Sequence, residues 1–427
     1  MRGRKKQTKT QEAKDYFWNS AAGILNAGQS VLILMVITRV LGMEAAGLFS
    51  IAFATGNLFM NFGNFGVRNV QVSDQKQRYG CRTYLVHRAI TTALMLAGAG
   101  IYVLYKTGTG YTPYKAGVVF AMCLLKAVDC IEDAAAGRLQ QRGRLDLAGK
   151  MILARLLISL FVLCALLKVS GALLIPTLAA AGAALLTVVL FCFCWKEPLY
   201  LRDPAGTAAG NSLLSLTRVC FPVCAANCLS FYLINAPKYA IDAQMDEIAQ
   251  AQYTFIAMPV FVIQLLNQFL YQPLLVKMTL AWEQKPADPG KDPFLRLFGR
   301  VLAGLGLITA AVLAGGYVLG IPVLGLLYSA DLTGLRPALM LLLTGGAFLA
   351  LNGFLTAMLT IVRAQKLIPL VYFLAAAVSV FVIPGMVRTG GLQGASAGYL
   401  VLMALVSVLL ILLFVRALTK RYKDSKL

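Results

Sequence analysis

Apolar residues in this chain form long stretches that are separated by shorter segments rich in polar and charged residues. Each stretch is close to the ~20 residues that a helix needs to cross the hydrocarbon core of a bilayer. The stretches begin near Phe17, Ala45, Leu85, Lys115, Ala148, Ala172, Ser215, Ala249, Leu297, Arg336, Leu367 and Leu392. A backbone in lipid has to satisfy its own hydrogen bonds, which a helix does. The pattern therefore predicts an all-α membrane protein with about 12 transmembrane helices.

Composition supports this class and excludes several others. The chain has 427 residues, of which 59% are hydrophobic and only 13% are charged, whereas a soluble protein carries about 25% charged residues. Most of the 9 cysteines lie inside the apolar stretches, where we expect small buried thiols and not a disulfide framework. A soluble enzyme, a disulfide-rich scaffold and a disordered chain are therefore excluded.

The distribution of basic residues predicts the orientation of the chain. The formal net charge is +21, and membrane proteins concentrate Lys and Arg in their cytoplasmic loops. With the N-terminus placed in the cytoplasm, most of the 39 basic residues fall on the inner side. Those on the outer side are Arg39, Lys106, Lys115, Lys168, Lys238, Arg336 and Arg388. Both termini are therefore predicted to be cytoplasmic.

A segment near the middle of the chain has the composition of a linker. Residues 196–214 combine Pro, Gly and mixed charge, which is typical of a loop. This cytoplasmic linker is predicted to separate an N-terminal six-helix bundle, residues 1–195, from a C-terminal bundle, residues 215–427, that ends in a basic tail. Residues 277–296 have a similar composition, and we expect a second cytoplasmic linker there.

The two halves share a short segment of similar sequence, which we call the internal echo. Arg39 ends the first span, and AAGLFSIAF at 45–53 opens the second. Lys238 ends the seventh span, and AQAQYTFIAM at 249–258 opens the eighth. The match is short, but its two members hold the same place six spans apart, which indicates a parallel repeat.

Polar side chains within the spans indicate helix faces that avoid lipid. They are Asn57, Asn61, Asn64 and Arg68 in span two, Asn235 and Lys238 in span seven, and Gln264, Asn267, Gln268 and Tyr271 in span eight. In spans two and eight they recur at helical spacing and form a stripe on one face. For any single amide, a hydrogen bond between helices explains the position as well as a cavity does. For the two stripes together, we expect a hydrated central cavity.

Ionisable residues inside the membrane are costly and point to a special environment. Span four carries one cation and three carboxylates, Lys126, Asp129, Glu132 and Asp133. Arg155 in span five is a candidate partner for this acidic group. Two interpretations stay open: a neutralised cluster near the cytoplasmic end of the span, or an ion or proton site coupled to conformational change. Asp242 in span seven is a further candidate for ion coupling.

Arg39 and Lys238 lie near the outer ends of their spans. Their side chains either snorkel to the interface or place positive charge beside a ligand.

Sequence motifs for catalysis are weak, because the chain has no DxD pair, no GxxxxGK[ST] phosphate loop and only 1 histidine. We therefore expect neither an enzyme nor a metal or cofactor site.

Four short segments carry a resemblance to a known family. TRVLGMEAAGLFSIAF at 38–53 is followed by FGNFGVRN at 62–69, and NAPKYAIDAQM at 235–245 is followed by AQAQYTFIAMPV at 249–260. These segments resemble the openings of the two halves of bacterial oligosaccharide flippases, of the O-antigen type, in the multidrug/oligosaccharidyl-lipid/polysaccharide superfamily. Elsewhere the resemblance rests on helix count and hydropathy. It implies two six-helix bundles around a V-shaped central cavity that opens alternately to either side.

The resemblance also implies a function. Members of this family move undecaprenyl-diphosphate-linked oligosaccharide repeat units across the bacterial cytoplasmic membrane for surface polysaccharide assembly. Arg39 and Lys238 match the family's cationic positions, although an Arg is often found in place of Lys238, and we add Arg68 to them. The expected partners are the lipid-linked oligosaccharide, membrane lipids, a coupling H⁺ or Na⁺, and polysaccharide-assembly proteins.

Two alternative functions remain open. A cation-coupled drug or metabolite antiporter of the same superfamily would rely on an embedded acidic site in place of a cationic cavity. A membrane-embedded glycan polymerase is disfavoured, because the sequence offers neither the catalytic carboxylates nor a large outer loop.

Overall fold

The computed structural model describes residues 2–74, 78–194, 213–284 and 292–424, with the side chains of 2–13, Gln268 and 420–424 left out. Within these ranges the regular secondary structure is helical. The chain forms two compact units, residues 1–228 and 229–427, and the division falls inside one helix. We call them the first and the second unit. Of the predicted linker 196–214, all but the last two residues lie outside the described residues, so its role as a boundary stays a prediction.

Helices of the first unit follow one another with short connections. They are α1 (Arg2–Leu41), α2 (Met43–Asn64), α3 (Val67–Ser73), α4 (Cys81–Thr109), α5 (Pro113–Gln141), α6 (Leu145–Ser170), α7 (Leu174–Cys194) and the beginning of α8 (Leu213–Gln244). Thr112 caps α5 by accepting a hydrogen bond from the Lys115 amide, and Pro113 occupies the first turn, where its missing N–H costs nothing.

The second unit contains longer and less regular helices. After α8 come α9 (Glu247–Tyr271), α10 (Leu275–Glu283), α11 (Pro293–Gly315), α12 (Ile321–Tyr328), α13 (Arg336–Ile361) and α14 (Ile368–Asp424). A 3₁₀ turn, Gln272–Leu274, joins α9 to α10, and a π-helical turn, Gly316–Gly320, joins α11 to α12. The predicted linker at 277–296 is wrong in part, because α10 extends to Glu283 and α11 begins at Pro293.

Ten helical stretches of the described chain are long and apolar enough to cross a membrane. The predicted all-helical membrane fold is therefore confirmed. Helix α5 is not among the ten, because charged residues occupy its middle. Helix α14 counts once, although Gly391 interrupts its helical geometry with φ 53° and ψ −131°. The number of 12 spans accordingly stays a prediction.

Corresponding helices of the two units pack in the same way. Helix α2 contacts α4 and α5, and α9 contacts α11 and α13. The breaks also correspond, because only Gly42 separates α1 from α2 and only two residues separate α8 from α9. Both members of the internal echo, 45–53 and 249–258, lie in the opening turns of these helices. This arrangement is what a parallel repeat requires.

Close packing of α1 on α6 shows how the first unit is held together. A Cβ at Gly149 would lie 2.6 Å from the backbone carbon of Trp18 and 2.8 Å from the Asn19 nitrogen, so only glycine permits this approach. The Asp15 carboxylate accepts a hydrogen bond of 2.8 Å from the Asp146 amide at the start of α6. A carboxylate there satisfies a free N–H and complements the helix dipole.

All nine cysteines are free, and six of them are buried. Cys220 and Cys224 pack with Phe65, Tyr79 and Tyr84 in an apolar cluster of the first unit. The interpretation of the cysteines as buried thiols is therefore confirmed for these six, whereas Cys164 and Cys228 are partly buried and Cys194 is exposed.

Candidate functional site

The sequence predicted that the polar residues from Asn57 to Arg68 lie on one helix, but the structure divides them between two helices. Helix α2 ends at Asn64, and both Phe65 (φ 49°) and Gly66 (φ 67°) adopt the left-handed conformation. Arg68 therefore lies on α3, and the predicted unbroken stripe from Asn57 to Arg68 is wrong at its last member. Glycine adopts this conformation readily at position 66, whereas a positive φ is uncommon for a residue with a side chain such as Phe65.

The amides of α2 make local contacts. Asn57 is buried, and its carbonyl accepts a hydrogen bond of 2.9 Å from the side-chain amide of Asn61. Asn64 is partly buried, and its Oδ1 accepts a hydrogen bond of 3.0 Å from Arg88. Asn64 is thereby joined to a network of charged residues.

Asp133 of α5 is held between two arginines. Its Oδ2 lies 2.6 Å from Arg88 and its Oδ1 lies 3.2 Å from Arg68. Arg68 also donates two hydrogen bonds, of 3.3 and 3.0 Å, to Oε1 of Gln140. The Arg88 side chain is 3% exposed, whereas that of Arg68 is 28% exposed. Two arginines and one carboxylate give this group one net positive charge. Arg68 is its most exposed member.

A second charged group lies deeper along α5. Arg155 of α6 approaches Asp129 at 2.6 Å and Glu132 at 2.7 Å, and Lys126 pairs with Asp129 at 3.0 Å. All four side chains are at most 11% exposed. Two cations thus balance two carboxylates. Arg155 is the partner that the sequence suggested for the acidic group.

The three carboxylates of span four are therefore all ion-paired. This geometry matches the interpretation of a neutralised cluster. One oxygen of this group is less well satisfied, because Oε1 of Glu132 is buried and has no hydrogen-bond partner among the described residues. Asp242 lies near the end of α8, one turn beyond Lys238.

The second unit contains a half-open cavity of about 180 Å³. Helix α8 contributes Asn235 and Lys238, and α9 contributes Gln264. Side chains of α9, α13 and α14 complete the wall, among them Tyr253, Val260, Leu342, Leu349 and Tyr399. We call this space the Lys238 cavity. It brings together three of the residues that the sequence marked, Asn235, Lys238 and Gln264.

Hydrogen-bond donors in the Lys238 cavity have few protein partners. Within the described chain, Lys238 forms no ion pair. The Tyr399 hydroxyl is buried and has no hydrogen-bond partner there either. Asn235 uses one N–H in a bond of 3.0 Å to the Phe231 carbonyl. The cavity therefore contains a cation, Lys238, without an ion-pair partner in the described chain.

Two other residues of span eight that the sequence marked, Asn267 and Tyr271, do not line this cavity. Asn267 is fully buried, and neither atom of its amide has a hydrogen-bond partner among the described residues. The Tyr271 ring lies 5.6 Å from that of Phe354. The side chain of Gln268 lies outside the described part. In the first unit, Arg39 is exposed in the last turn of α1.

Two residues of these sites were missed by the sequence reasoning. Arg88 was counted among the cytoplasmic cations, yet it is buried in α4, where Thr91 and Thr92 on the following turn are also buried. That polar face was the available signal. Tyr399 stands in an apolar stretch with no charged residue nearby in sequence, so no pattern distinguishes it from an ordinary core tyrosine.

Solved structures with the same fold are membrane transporters. An inward-facing multidrug-resistance MATE family transporter of the MOP superfamily aligns with a TM-score of 0.66 at 15% identity, covering 94% of this chain and 96% of its own. The lipid II flippase MurJ, in an inward closed conformation, aligns with a TM-score of 0.67 at 9% identity, covering 95% and 91%. A mutant of the Vibrio cholerae MATE transporter VcmN aligns with a TM-score of 0.59 at 14% identity, covering 97% and 98%.

No protein-family model matches the chain, and no curated protein matches it. The structural likeness therefore establishes the fold shared by MATE transporters and MurJ.

Proposed function

We propose that this protein is a flippase that moves an undecaprenyl-diphosphate-linked oligosaccharide repeat unit across the bacterial cytoplasmic membrane by alternating access. Its role would be to supply surface polysaccharide assembly. The proposal is supported by the fold, which is shared with a lipid II flippase, and by the family resemblance of the segments at 38–53 and 235–245.

One observation favours an anionic substrate: Lys238 lines a cavity and has no carboxylate partner among the described residues. A cation and an anion 4 Å apart attract each other by roughly 4 kcal/mol at an effective dielectric constant of ~20. The same lysine would repel a cationic drug by a similar amount. In the first unit, each carboxylate of span four is already paired with a cation.

Each polar or cationic residue that the sequence predicted to bind the substrate has a role in this proposal. Arg39, Arg68 and Lys238 each supply positive charge for an anionic group of the substrate, since charge-assisted hydrogen bonds to phosphate are the strong ones. The amides at positions 57, 61, 64, 235, 264, 267 and 268, with the hydroxyl of Tyr271, exchange hydrogen bonds with sugar hydroxyls as water is displaced. The polyprenyl tail stays in lipid.

Placement in the membrane and partners form part of the same proposal. Both termini face the cytoplasm, two six-helix bundles flank the segment 196–214, and membrane lipids and polysaccharide-assembly proteins surround the transporter. A proton or Na⁺ drives the cycle if Asp129, Glu132, Asp133 or Asp242 couples transport to ion binding.

A cation-coupled drug antiporter is the second candidate. It is favoured by the likeness to multidrug-resistance transporters and by Glu132, whose buried Oε1 lacks a hydrogen-bond partner among the described residues and is available to a proton. In this case Lys238 would have a structural role only, and a cationic substrate would displace a proton from the acidic group.

Deletion of the gene in its host separates the two candidates. For a flippase, cells without the protein lose surface polysaccharide and accumulate its lipid-linked precursor on the inner leaflet, while drug susceptibility is unchanged. The Lys238→Gln variant, at normal abundance, should restore less polysaccharide than the matched Lys277→Gln variant, because Lys277 is exposed on α10. Unchanged polysaccharide together with new drug sensitivity would support the antiporter and reject the flippase.

A further inference from the structure

Helix α8 is divided between the two compact units. Residues 213–228 belong to the first unit, and residues 229–244 belong to the second. The parallel repeat, however, assigns all of α8 to the second half of the chain, because α8 precedes α9 as α1 precedes α2. Contacts of residues 213–228 with α2, α3 and α4 therefore join the two halves of the repeat, although these contacts lie within one compact unit.

Two hydrogen bonds between distant parts of the chain hold the beginning of α8. The Tyr79 hydroxyl lies 3.1 Å from Oγ of Ser215, and Nε2 of His87 lies 3.1 Å from Oγ1 of Thr217. The Thr217 hydroxyl donates its hydrogen to the Leu213 carbonyl at 2.9 Å, so His87 is the donor to Thr217. Nδ1 of His87 is buried and has no hydrogen-bond partner among the described residues.

An apolar contact lies beside these two hydrogen bonds. Residues on one face of α8 are buried against aromatic side chains that precede or begin α4: Leu216, Cys220 and Cys224 pack with Phe65, Tyr79 and Tyr84. The approach is closest at Gly66, where a Cβ would lie 2.7 Å from Cγ1 of Val223. The hydroxyl and imidazole groups of the contact can bond water instead, at a small net cost. The contact is therefore suited to opening and closing reversibly.

The first half of the chain holds its own side of this contact in place. The Asp74 carboxylate accepts hydrogen bonds of 2.9 and 3.1 Å from the backbone N–H groups of Arg78 and Tyr79, and one of 3.1 Å from the Tyr84 hydroxyl. These bonds fix the turn that presents Tyr79. Helix α8 is less continuous, because Pro222 lacks the N–H that would bond the preceding turn. Movement at this contact thus belongs to α8.

We propose that the contact made by Tyr79, His87, Ser215 and Thr217 is a latch that closes the predicted cytoplasmic end between the two halves and releases in each transport cycle. We call these four residues the α8 latch. The inference rests on the proposed function, since alternating access by rocking of the halves has to separate them at this end. The opening itself is measurable without any substrate.

Labelling of Cys220 measures the opening of the α8 latch. Cys220 is 0% exposed, so N-ethylmaleimide reaches this thiol only when the contact opens. The protein is the full chain in lipid nanodiscs, with Cys220 as its only cysteine. Thr217→Val removes the bond to His87, and Ser215→Ala removes the bond to Tyr79. Each should raise the labelling rate about 2- to 12-fold, the factor that corresponds to the net contribution of one hydrogen bond.

Matched controls separate release of the latch from general loosening. Thr187 of α7 donates to the Ala183 carbonyl at 2.7 Å, as Thr217 does within α8, so Thr187→Val removes the same local bond and should leave the labelling of Cys220 unchanged. Cys123 of α5 is also 0% exposed, and as the only cysteine it should label equally slowly with and without Thr217→Val. Equal acceleration at both thiols, or equal effects of the two threonine variants on Cys220, would overturn the inference.

A reversible bridge tests whether transport needs the release. In the double variant Tyr79→Cys, Ser215→Cys, on a background without other cysteines, a short bifunctional thiosulfonate should stop translocation of the lipid-linked oligosaccharide. Cleavage of the bridge by a thiol reductant should restore it. Transport that continues in the bridged protein would overturn the latch. A protein whose Cys220 labels as expected, but which moves no lipid-linked sugar even without the bridge, would keep the latch and reject the flippase.

Discussion

Replacing Arg155 by glutamine should destabilise the first unit strongly. The guanidinium is 2.6 Å from Asp129 and 2.7 Å from Glu132, and its side chain is 4% exposed. Without it, Asp129 keeps Lys126 at 3.0 Å, but Glu132 loses its ion-pair partner within the described chain. Removing one member of a buried pair costs about 3–5 kcal/mol, because the other charge is left buried and unpaired.

Equilibrium unfolding in mixed micelles, titrated with a denaturing detergent, measures this loss. Arg144→Gln is the matched control, because Arg144 pairs with Asp146 at 3.1 Å while its own side chain is 40% exposed; we expect a cost of ~0–1 kcal/mol. The double variant Arg155→Gln, Glu132→Gln should be more stable than Arg155→Gln alone. If Arg155→Gln is no more destabilising than Arg144→Gln, the description of a buried, mutually dependent charge network is wrong.

Two further predictions concern packing and orientation. Gly149→Ala should cost about 1–3 kcal/mol by forcing α6 away from α1, whereas Gly182→Ala, where a Cβ meets nothing within 4 Å, should be neutral or stabilising in the same unfolding assay; equal effects would contradict the close approach. On a cysteine-depleted background, an impermeant maleimide should label Thr109→Cys and Thr333→Cys in intact cells and leave Arg142→Cys and Lys366→Cys unlabelled, since all four positions are exposed and only the first two are predicted to be outside. The opposite pattern would reverse the orientation.

The fold was largely predictable, because a backbone that crosses lipid has to satisfy its hydrogen bonds within the protein. Long apolar stretches have to be helical, and the breaks between α1 and α2 and between α8 and α9 fall where the internal echo placed them. The pairing of Arg155 with the acidic residues of α5 was also predictable, because buried charges need partners. The point at which α2 ends was not predictable, because it depends on the local left-handed backbone conformation of Phe65 and Gly66.

The candidate site was predictable only where charge or periodicity marked it. Lys238 stood out as a cation in a span, and Asn235 lies one turn earlier on the same helix. Tyr399 reaches the cavity only because α14 packs against α13, which no sequence spacing reveals. Asn267 shares its helix with Gln264, yet Asn267 is fully buried while Gln264 is exposed, because neighbouring helices decide which part of a polar stripe is covered.

Translocation by the purified protein in liposomes tests the central claim most directly. The substrate is an undecaprenyl-diphosphate-linked oligosaccharide with a fluorescent label on its sugar, and a membrane-impermeant reductant destroys the label on the outer leaflet. Vesicles with the protein should lose the inner-leaflet label as well, at a rate that Lys238→Gln lowers and Lys277→Gln does not. Loss no faster than in protein-free vesicles, or transport of a cationic dye without transport of the lipid, would contradict the account.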